Sequence, residues 1–463
     1  MKKAFIILSL PLLLNTACNK VLDQRPESSL DPQVAFSNKE GVQAGLIGIY
    51  DAMQSGNYYG LRYFAFAELY ADNLTHTGTF PSFAQIANKQ ILADNVEVSN
   101  MWNTIYNGIN RANGVINYAN QVNDASFNKN AAIAEARALR GVMYFDLIRY
   151  FGGSPNGYNK SGGLGVPLYL TPTLTPQDAE PKPRATEAEV YAAILADLDF
   201  AIANMPTTNP NGRLTKNAVT ALKARVQLYR EQWEDAEALA TSVLSQFQSS
   251  PNGGLVAGAD YITLYLNKNV KPESLWELQF FTDDANSIAF FYYTAGTGGR
   301  NEITTSTSLA NAHEAGDLRR PVNVSVASAG PPAVPANKTR KYSRIAGDDN
   351  VILIRLAELY LIRAEARARK ATPDIAGAQA DINRIRNRAG LPNTTAITVQ
   401  ELIDAIEQER RIELAHEGHR FFDLRRYNKL ATVGITQPFR ALWPIPQREV
   451  QTSGGIIAQN PNY

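Results

Sequence analysis

Residues 351–388, VILIRLAELYLIRAEARARKATPDIAGAQADINRIRNR, carry apolar side chains on two faces of a single helical period. Leu353, Leu356, Ala357, Tyr360 and Ala364 recur three or four residues apart and form one stripe, while Ile352, Leu359, Ile362 and Ala366 form a second on the other side. A helix that is apolar on two faces must lie between other elements, and its alanines let neighbouring backbones come close. Thr372-Pro373-Asp374 breaks the helix, and residues 375–388 follow as a partner with Ala378, Ile382 and Ile385 inward. Such a pair is the unit of tetratricopeptide-like repeats, which stack because one pair alone cannot bury its faces.

A second copy lies upstream. Residues 215–229 place Ala218, Leu222, Ala224 and Leu228 on one face, turn at Arg230-Glu231-Gln232, and return through Trp233, Ala236, Ala240 and Val243. Two looser pairings follow the same logic: 102–120 with 131–151, and 187–205 with the pair just described. The reading is a mainly α chain of about four helix pairs in a tetratricopeptide-like scaffold, supporting a loop-rich ligand-binding half with short strands. Thr186 followed by Glu187 and Glu189 starts one of these helices and Met205-Pro206 ends it. Between the helices stand two irregular blocks, 152–186 and 249–350. In the second, Trp276, Leu278 and Phe280 alternate with Glu277 and Gln279, as in a half-buried strand.

The chain begins with Lys2 and Lys3, an apolar run from Ala4 to Leu14, and Asn15-Thr16-Ala17-Cys18, the layout of a bacterial export signal. The run is shorter than the roughly 20 residues that span a bilayer. Cys18 is the only cysteine, so no internal disulfide can form, and its place directly after Ala17 fits a lipid attachment point after removal of residues 1–17. Asn15 stands where lipoprotein signals prefer leucine three residues before the cysteine; the competing reading is an ordinary secretory leader with an incidental thiol. Residues 18–38 then read as a lipid-anchored polar tether and 39–463 as a single body, whose first helix, 39–54, turns Val42, Leu46, Ile49 and Tyr50 to one side. Lys and Arg number 45 against 44 Asp and Glu. Loss of Lys2 and Lys3 with the leader tips this balance to one net negative charge, which argues against binding to nucleic acid or, by charge, to a membrane.

From 57 to 83 aromatic residues lie among Gly, Asn, Thr and Ser. Such a mixture suits sugars, whose apolar C–H faces stack on rings and whose hydroxyls bond amides and hydroxyls. Tyr63, Phe66 and Tyr70 recur at helical spacing and read as core. Tyr58, Tyr59, Asn73, Phe80 and Phe83, with Tyr292 and Tyr293 from the run FFYYTAGTGG, sit in loop-like sequence and are the expected exposed ligand contacts.

Catalytic readings find little support. The charge knot of Glu409, Arg410, Arg411, Glu413, Glu417, Arg420, Asp423, Arg425 and Arg426 reads as carboxylates and arginines pairing at a helix end. His416 and His419 are three apart in HEGH, which is not the HExxH metal arrangement, and Gly418 would interrupt such a helix. Glu413, Glu417 and Asp423 are too crowded by arginine to hold a proton as a glycosidase acid must. Neither a GxSxG elbow nor a GxxxxGK[ST] phosphate loop is present. No cofactor is expected.

Six blocks in collinear order, EARALRGVMYFDLIRYFGG, ATEAEVYAAILADLDFAI, GRLTKNAVTALKARVQLY, IRLAELYLIRAEARAR with INRIRNRAGL, ERRIELAHEGHRFFDLRRY and the closing PIPQREV…QNPNY, resemble the SusD/RagB family of outer-membrane nutrient-binding lipoproteins. The resemblance runs from LDQRPESSL to Tyr463, and implies an N-terminal SusD-like part at about 39–210 and a C-terminal RagB/SusD part at about 211–463. It further implies four tetratricopeptide-like units, a cell-surface position, and partnership with a SusC-like TonB-dependent barrel over which the lipoprotein closes as a lid on captured glycan or oligopeptide. Members of this kind bind without hydrolysing. Only Cys18, at the lipid position, carries over residue by residue. The competing readings are oligopeptide capture within the same importer type, and a repeat scaffold for outer-membrane protein assembly; the long aromatic insertions speak against the latter.

Overall fold

The computed structural model describes residues 31–160, 162–210, 212–268, 271–329 and 333–463. The export signal, Cys18 and the first part of the tether lie outside the described residues. The principal elements are α1 (Lys39–Gln54), α2 (Arg62–Leu69), β1 (Leu74–His76), α3 (Pro81–Ala87), α4 (Val96–Tyr118), α5 (Lys129–Phe151), α6 (Glu187–Asn204), α7 (Lys216–Tyr229), α8 (Trp233–Leu244), β2 (Ser274–Leu278), α9 (Ile288–Tyr292), β3 (Ile303–Thr305), β4 (Val351–Arg355), α10 (Leu356–Arg369), α11 (Ile375–Arg388), α12 (Val399–Glu413) and α13 (Arg420–Arg426). The helices start where side chains can take up free backbone N–H groups. Asn38, Asn95, Asn128, Thr215 and Asp374 cap α1, α4, α5, α7 and α11, and Thr186 and Thr398 close capping boxes with Glu189 and Glu401.

The scaffold is a continuous stack in which α4 packs on α5, α5 on α6, α6 on α7 and α7 on α8; α8 packs on α10, and α10 on α11 and α12. The chain leaves this stack after α8 and returns at α10 without disturbing the order. Alanines at the crossings, including Ala221, Ala224, Ala236, Ala240, Ala357 and Ala364, are fully buried, as close backbone approach requires.

Two expectations are corrected here. Residues 351–355 do not begin the helix: they form β4, antiparallel to β2 with Glu277 opposite Ile352 and Leu278 opposite Val351. Three of the five residues of VILIR are β-branched and all five are buried, which favours a strand, so Ile352 and Leu353 belong to alternate faces of a ladder and not to helical stripes. The tether, expected to run to residue 38, is fastened earlier. A helical turn at Pro32–Ala35 leads into Phe36, whose ring stacks on Tyr118 at 5.4 Å and 3°.

The charge knot does pair, but in the interior, as a clasp between insertion and scaffold. Arg355 meets Glu273 and Glu413 at 2.6 Å each and Glu417 at 2.9 Å. Arg388 pairs with Glu413 and Glu273, Arg319 pairs with Asp317, Glu409 and Glu413, and Lys341 pairs with Glu417 at 2.6 Å. Burial alone would raise the Glu413 carboxyl, but Arg388, Arg355 and Arg319 hold it well below the usual carboxylate range. The insertion contributes Glu273, Asp317, Arg319 and Lys341, β4 contributes Arg355, α11 and α12 contribute Arg388, Glu409 and Glu413, and Glu417 lies in the turn after α12.

Candidate ligand-binding site

The short β1–β3 ladder pairs Leu74 with Thr305, Thr75 with Thr304 and His76 with Ile303. It thereby joins the 77–87 segment to the 288–302 segment, two of the stretches that the sequence marks as aromatic and loop-like. Glu302 pins the corner. Its carboxylate accepts the Phe80 N–H at 2.6 Å, lies 2.9 Å from His76 Nε2, and pairs with Arg300 at 3.1 Å. Burial opposes the charge, yet these donors keep the Glu302 carboxyl below its ordinary value. Gly78 leaves room for it: a Cβ there would come within 2.2 Å of that carboxylate and push it from its place.

On this corner the Arg300 guanidinium lies 3.9 Å from the centroid of the Phe80 ring. Beneath, Phe80 touches Phe83 and Phe291, Phe83 stacks on Phe291 at 5.6 Å and 12°, and Phe83 meets Phe66 edge-on at 4.9 Å. The result is a staircase of rings from the core to the surface, ending in Phe80, Phe290 and Arg300. Phe290 is 43% exposed.

From the aromatic corner a polar track leads along α4. Ser82 donates to Glu97 at 2.9 Å, Glu97 pairs with Arg62, and Arg62 donates to the Gly56 carbonyl at 2.9 Å. Gly56 lies in the wall of an open cleft of about 540 Å³, lined also by Asp51, Gln54, Asn103, Asn107, Arg111 and Asp284. Arg111 pairs with Asp51 at 2.6 Å, and Gln54 donates to Asp284 at 3.1 Å. Burial, with Asp51 and Asp283 nearby, raises the Asp284 carboxyl. The amides of Asn103 and Asn107 make no hydrogen bond to the described residues, so their donors and acceptors are available to a ligand. Most charged groups along the track are paired, Arg300 with Glu302, Arg62 with Glu97 and Arg111 with Asp51, while Asp284 forms no ion pair among the described residues. Apolar rings, free amides, largely paired charge and one carboxylate with spare lone pairs are the surface that a neutral polyhydroxylated molecule fits.

Of the seven residues expected to be exposed, Phe80 alone stands at this surface, half-buried; the other six are buried. Tyr58 and Tyr59 hand both hydroxyls to Asp146 on α5, Tyr59 at 2.7 Å, because the turn that carries them is covered by that helix. Asn73 donates to Glu68 and accepts from Arg411, tying α2 to α12. Phe83 is the middle tread of the ring staircase. The run 288–292 is helical and not a loop tip, so Ile288, Ala289 and Tyr292 face inward while Phe290 faces out. Tyr292 meets His416, and Tyr293 donates to the Thr339 carbonyl at 3.1 Å. Sequence reasoning passed over Arg300, Gln54, Asn103, Asn107 and Asp284. A signal existed for two of these: Asn103, Asn107 and Arg111 repeat at four-residue intervals and mark one polar face of a helix. Arg300 had none, since its place depends on the β1–β3 pairing.

A stacked helical scaffold that supports a loop-built face of rings and amides defines a repeat-scaffolded binding protein. The chain belongs to the SusD/RagB family. Residues 333–434 match the SusD family, and residues 20–228 match the family described as starch-binding, associating with the outer membrane. A SusD-like protein of Formosa agariphila is 27% identical over 95% of this chain and 94% of its own. Among solved structures, a SusD superfamily protein from Bacteroides thetaiotaomicron superposes with a TM-score of 0.77 at 27% identity, covering 92% of this chain and 100% of that one. A laminarin-binding SusD-like protein superposes with a TM-score of 0.76 at 26% identity, covering 92% of this chain and 100% of that chain.

Proposed function

We propose that this protein is a lipid-anchored, cell-surface glycan-binding lipoprotein that holds an oligosaccharide on the Phe80–Arg300 corner and the adjoining α4 cleft, and delivers it to a SusC-like TonB-dependent barrel. It binds without cleaving. The observation that carries the reading is the union of surface rings and unengaged amides with mostly paired charge and no unpaired cation along the track, which favours neutral sugar hydroxyls over anionic ligands. Family membership and the likeness to a laminarin-binding SusD-like protein support the ligand class. The leader sequence and Cys18 support the anchor.

Affinity electrophoresis against a panel of polysaccharides, laminarin and starch included, tests the ligand class. Retardation by at least one of them, reduced in Phe80→Ala, is the expected result. Retention by none, together with binding of mixed peptides, would replace glycan capture with oligopeptide capture. Release of reducing sugar from a retarding polysaccharide by purified protein would overturn the non-catalytic reading. Incorporation of labelled fatty acid that is lost in Cys18→Ser tests the anchor, and co-purification with a large outer-membrane barrel tests the partner.

A further inference from the structure

On the other flank of α4 lies a separate pocket of about 260 Å³, between that helix, the 167–179 segment and the C-terminal tail. The ridge of α4 divides it from the polar cleft, and Asn103 lines both. Its walls are aromatic: the Trp102 and Tyr106 rings lie 4.8 Å apart, and Tyr169 meets Tyr106 edge-on at 5.9 Å. The Tyr106 hydroxyl is occupied by the Pro167 carbonyl at 2.9 Å, so Tyr106 offers the pocket its ring. The polar groups are few. Asn110 uses its Oδ1 to accept the Thr173 N–H at 2.8 Å, which leaves its NH₂ without a partner among the described residues.

Glu449 sets this pocket apart. The clasp carboxylates Glu273, Glu409, Glu413 and Glu417, and Glu365 beneath α13, each face arginine. Glu449 forms no ion pair among the described residues. Its exposed chain neighbour Arg448 and, more weakly, the Trp102 indole beside it favour its charged form. Burial raises its carboxyl above the usual value. A partly desolvated carboxylate with spare lone pairs, beside ring faces and free amides, can accept a vicinal pair of hydroxyls while a ring stacks on the sugar's C–H face. The volume falls below that of pockets for drug-sized ligands, roughly 300 Å³ and more, and suits one ring.

We propose that the Trp102–Tyr106–Glu449 pocket is a second carbohydrate subsite, which takes a single pyranose unit of the same glycan held at the Phe80–Arg300 face, with Asn103 as the residue common to both. This rests on the glycan-binding function proposed above. Engagement on both sides of one helix makes the second contact intramolecular, so a branched or bent polysaccharide is held more tightly than either site alone would hold it.

The test uses the full mature protein and the polysaccharide that retards it most. Thr173→Trp places a bulky ring at the exposed mouth, and Glu449→Gln removes the charge while keeping the shape. Each is expected to weaken retention roughly 3- to 10-fold, the scale of one stacked ring or one charged hydrogen bond. Saturation-transfer NMR with the constituent monosaccharide at millimolar concentration gives a second readout. That signal is expected to survive in Phe80→Ala and to vanish in Thr173→Trp. Wild-type retention and an undiminished monosaccharide signal in both pocket variants, with unchanged melting temperatures, would overturn the subsite. If Phe80→Ala weakens retention while the pocket variants do not, the subsite alone falls and the main face stands. If wild-type protein is retarded by no polysaccharide, both fall together.

Discussion

Arg300 and Phe80, distant in sequence, meet with the guanidinium 3.9 Å from the ring centroid. The contact holds the ring in place while leaving part of its surface open, a preorganised stacking platform. Phe80→Ala and Arg300→Ala are each expected to weaken glycan binding about 5- to 10-fold, close to 1 kcal/mol, since one platform is lost and no core is opened. Isothermal titration with the retarding glycan measures the loss, and thermal melting should show little change for either variant.

Phe83 is predicted to behave oppositely. It is fully buried between Phe66 and Phe291, so Phe83→Ala should destabilise the fold by about 3–5 kcal/mol in urea titration. Tyr59→Phe, which removes one hydroxyl from Asp146, should cost about 1 kcal/mol and leave ligand affinity unchanged. Weaker glycan binding by a fully folded Tyr59→Phe protein would contradict the structural role assigned to that residue.

The contrast between Phe80 and Phe83 shows what the sequence could and could not disclose. Helix faces, caps and the stack were legible because a 3.6-residue period and a Thr or Asn cap act over a few residues; α7, α8 and α11 stand where those patterns put them. Residues 351–355 were misread because a short apolar run satisfies both periods, and the arbiter, pairing with Ser274–Leu278, is remote in sequence. The aromatic stretches stand out by composition, and β1–β3 brings two of them together. Which rings face solvent depended on packing across the fold: α5 covers Tyr58 and Tyr59, and one turn of helix rotates Tyr292 inward and Phe290 outward.

Arg355 is predicted to be among the most sensitive positions in the protein. Three carboxylates, Glu273, Glu413 and Glu417, converge on its guanidinium in the interior. Arg355→Met would leave them short of a counter-charge, at an expected cost of about 3–5 kcal/mol. Denaturant unfolding measures the cost, and limited proteolysis of the variant should cut first within 249–350, the segment that the clasp holds down.

Acid should unfold the protein in two stages. Burial, reinforced by Lys341, pushes the His416 imidazole down to about 3, and His313 is pushed down to about 4, again chiefly by burial. Their unfolded forms bind protons near pH 6.5, so the unfolded state takes up more protons below that value and stability falls as pH drops from 6.5 toward 3. Glu365 works in the same direction. Its burial is outweighed by Arg426, Arg369 and Arg410, which hold it down to about 2, so stability present above the unfolded value near 4.3 is lost as pH falls toward 2. The melting temperature should be flat from pH 8 to 7, decline below about 6.5, and drop most steeply below about 4.5. His416 sits at φ 65, a conformation asparagine tolerates, so His416→Asn should flatten the upper part of this decline; an unaltered profile would count against it.

The docking of α8 onto α10 makes the 245–355 excursion resemble a cassette in a frame. Helical register on either side is indifferent to what is mounted between, provided the mounted piece carries its own β2–β4 ladder, a β3 strand to pair with β1, and the charges that meet Arg388, Glu409, Glu413 and Glu417. Exchanging this segment between relatives would therefore replace the Phe290, Arg300 and Asp284 side of the ligand face, while Phe80 and the α4 amides stay with the frame.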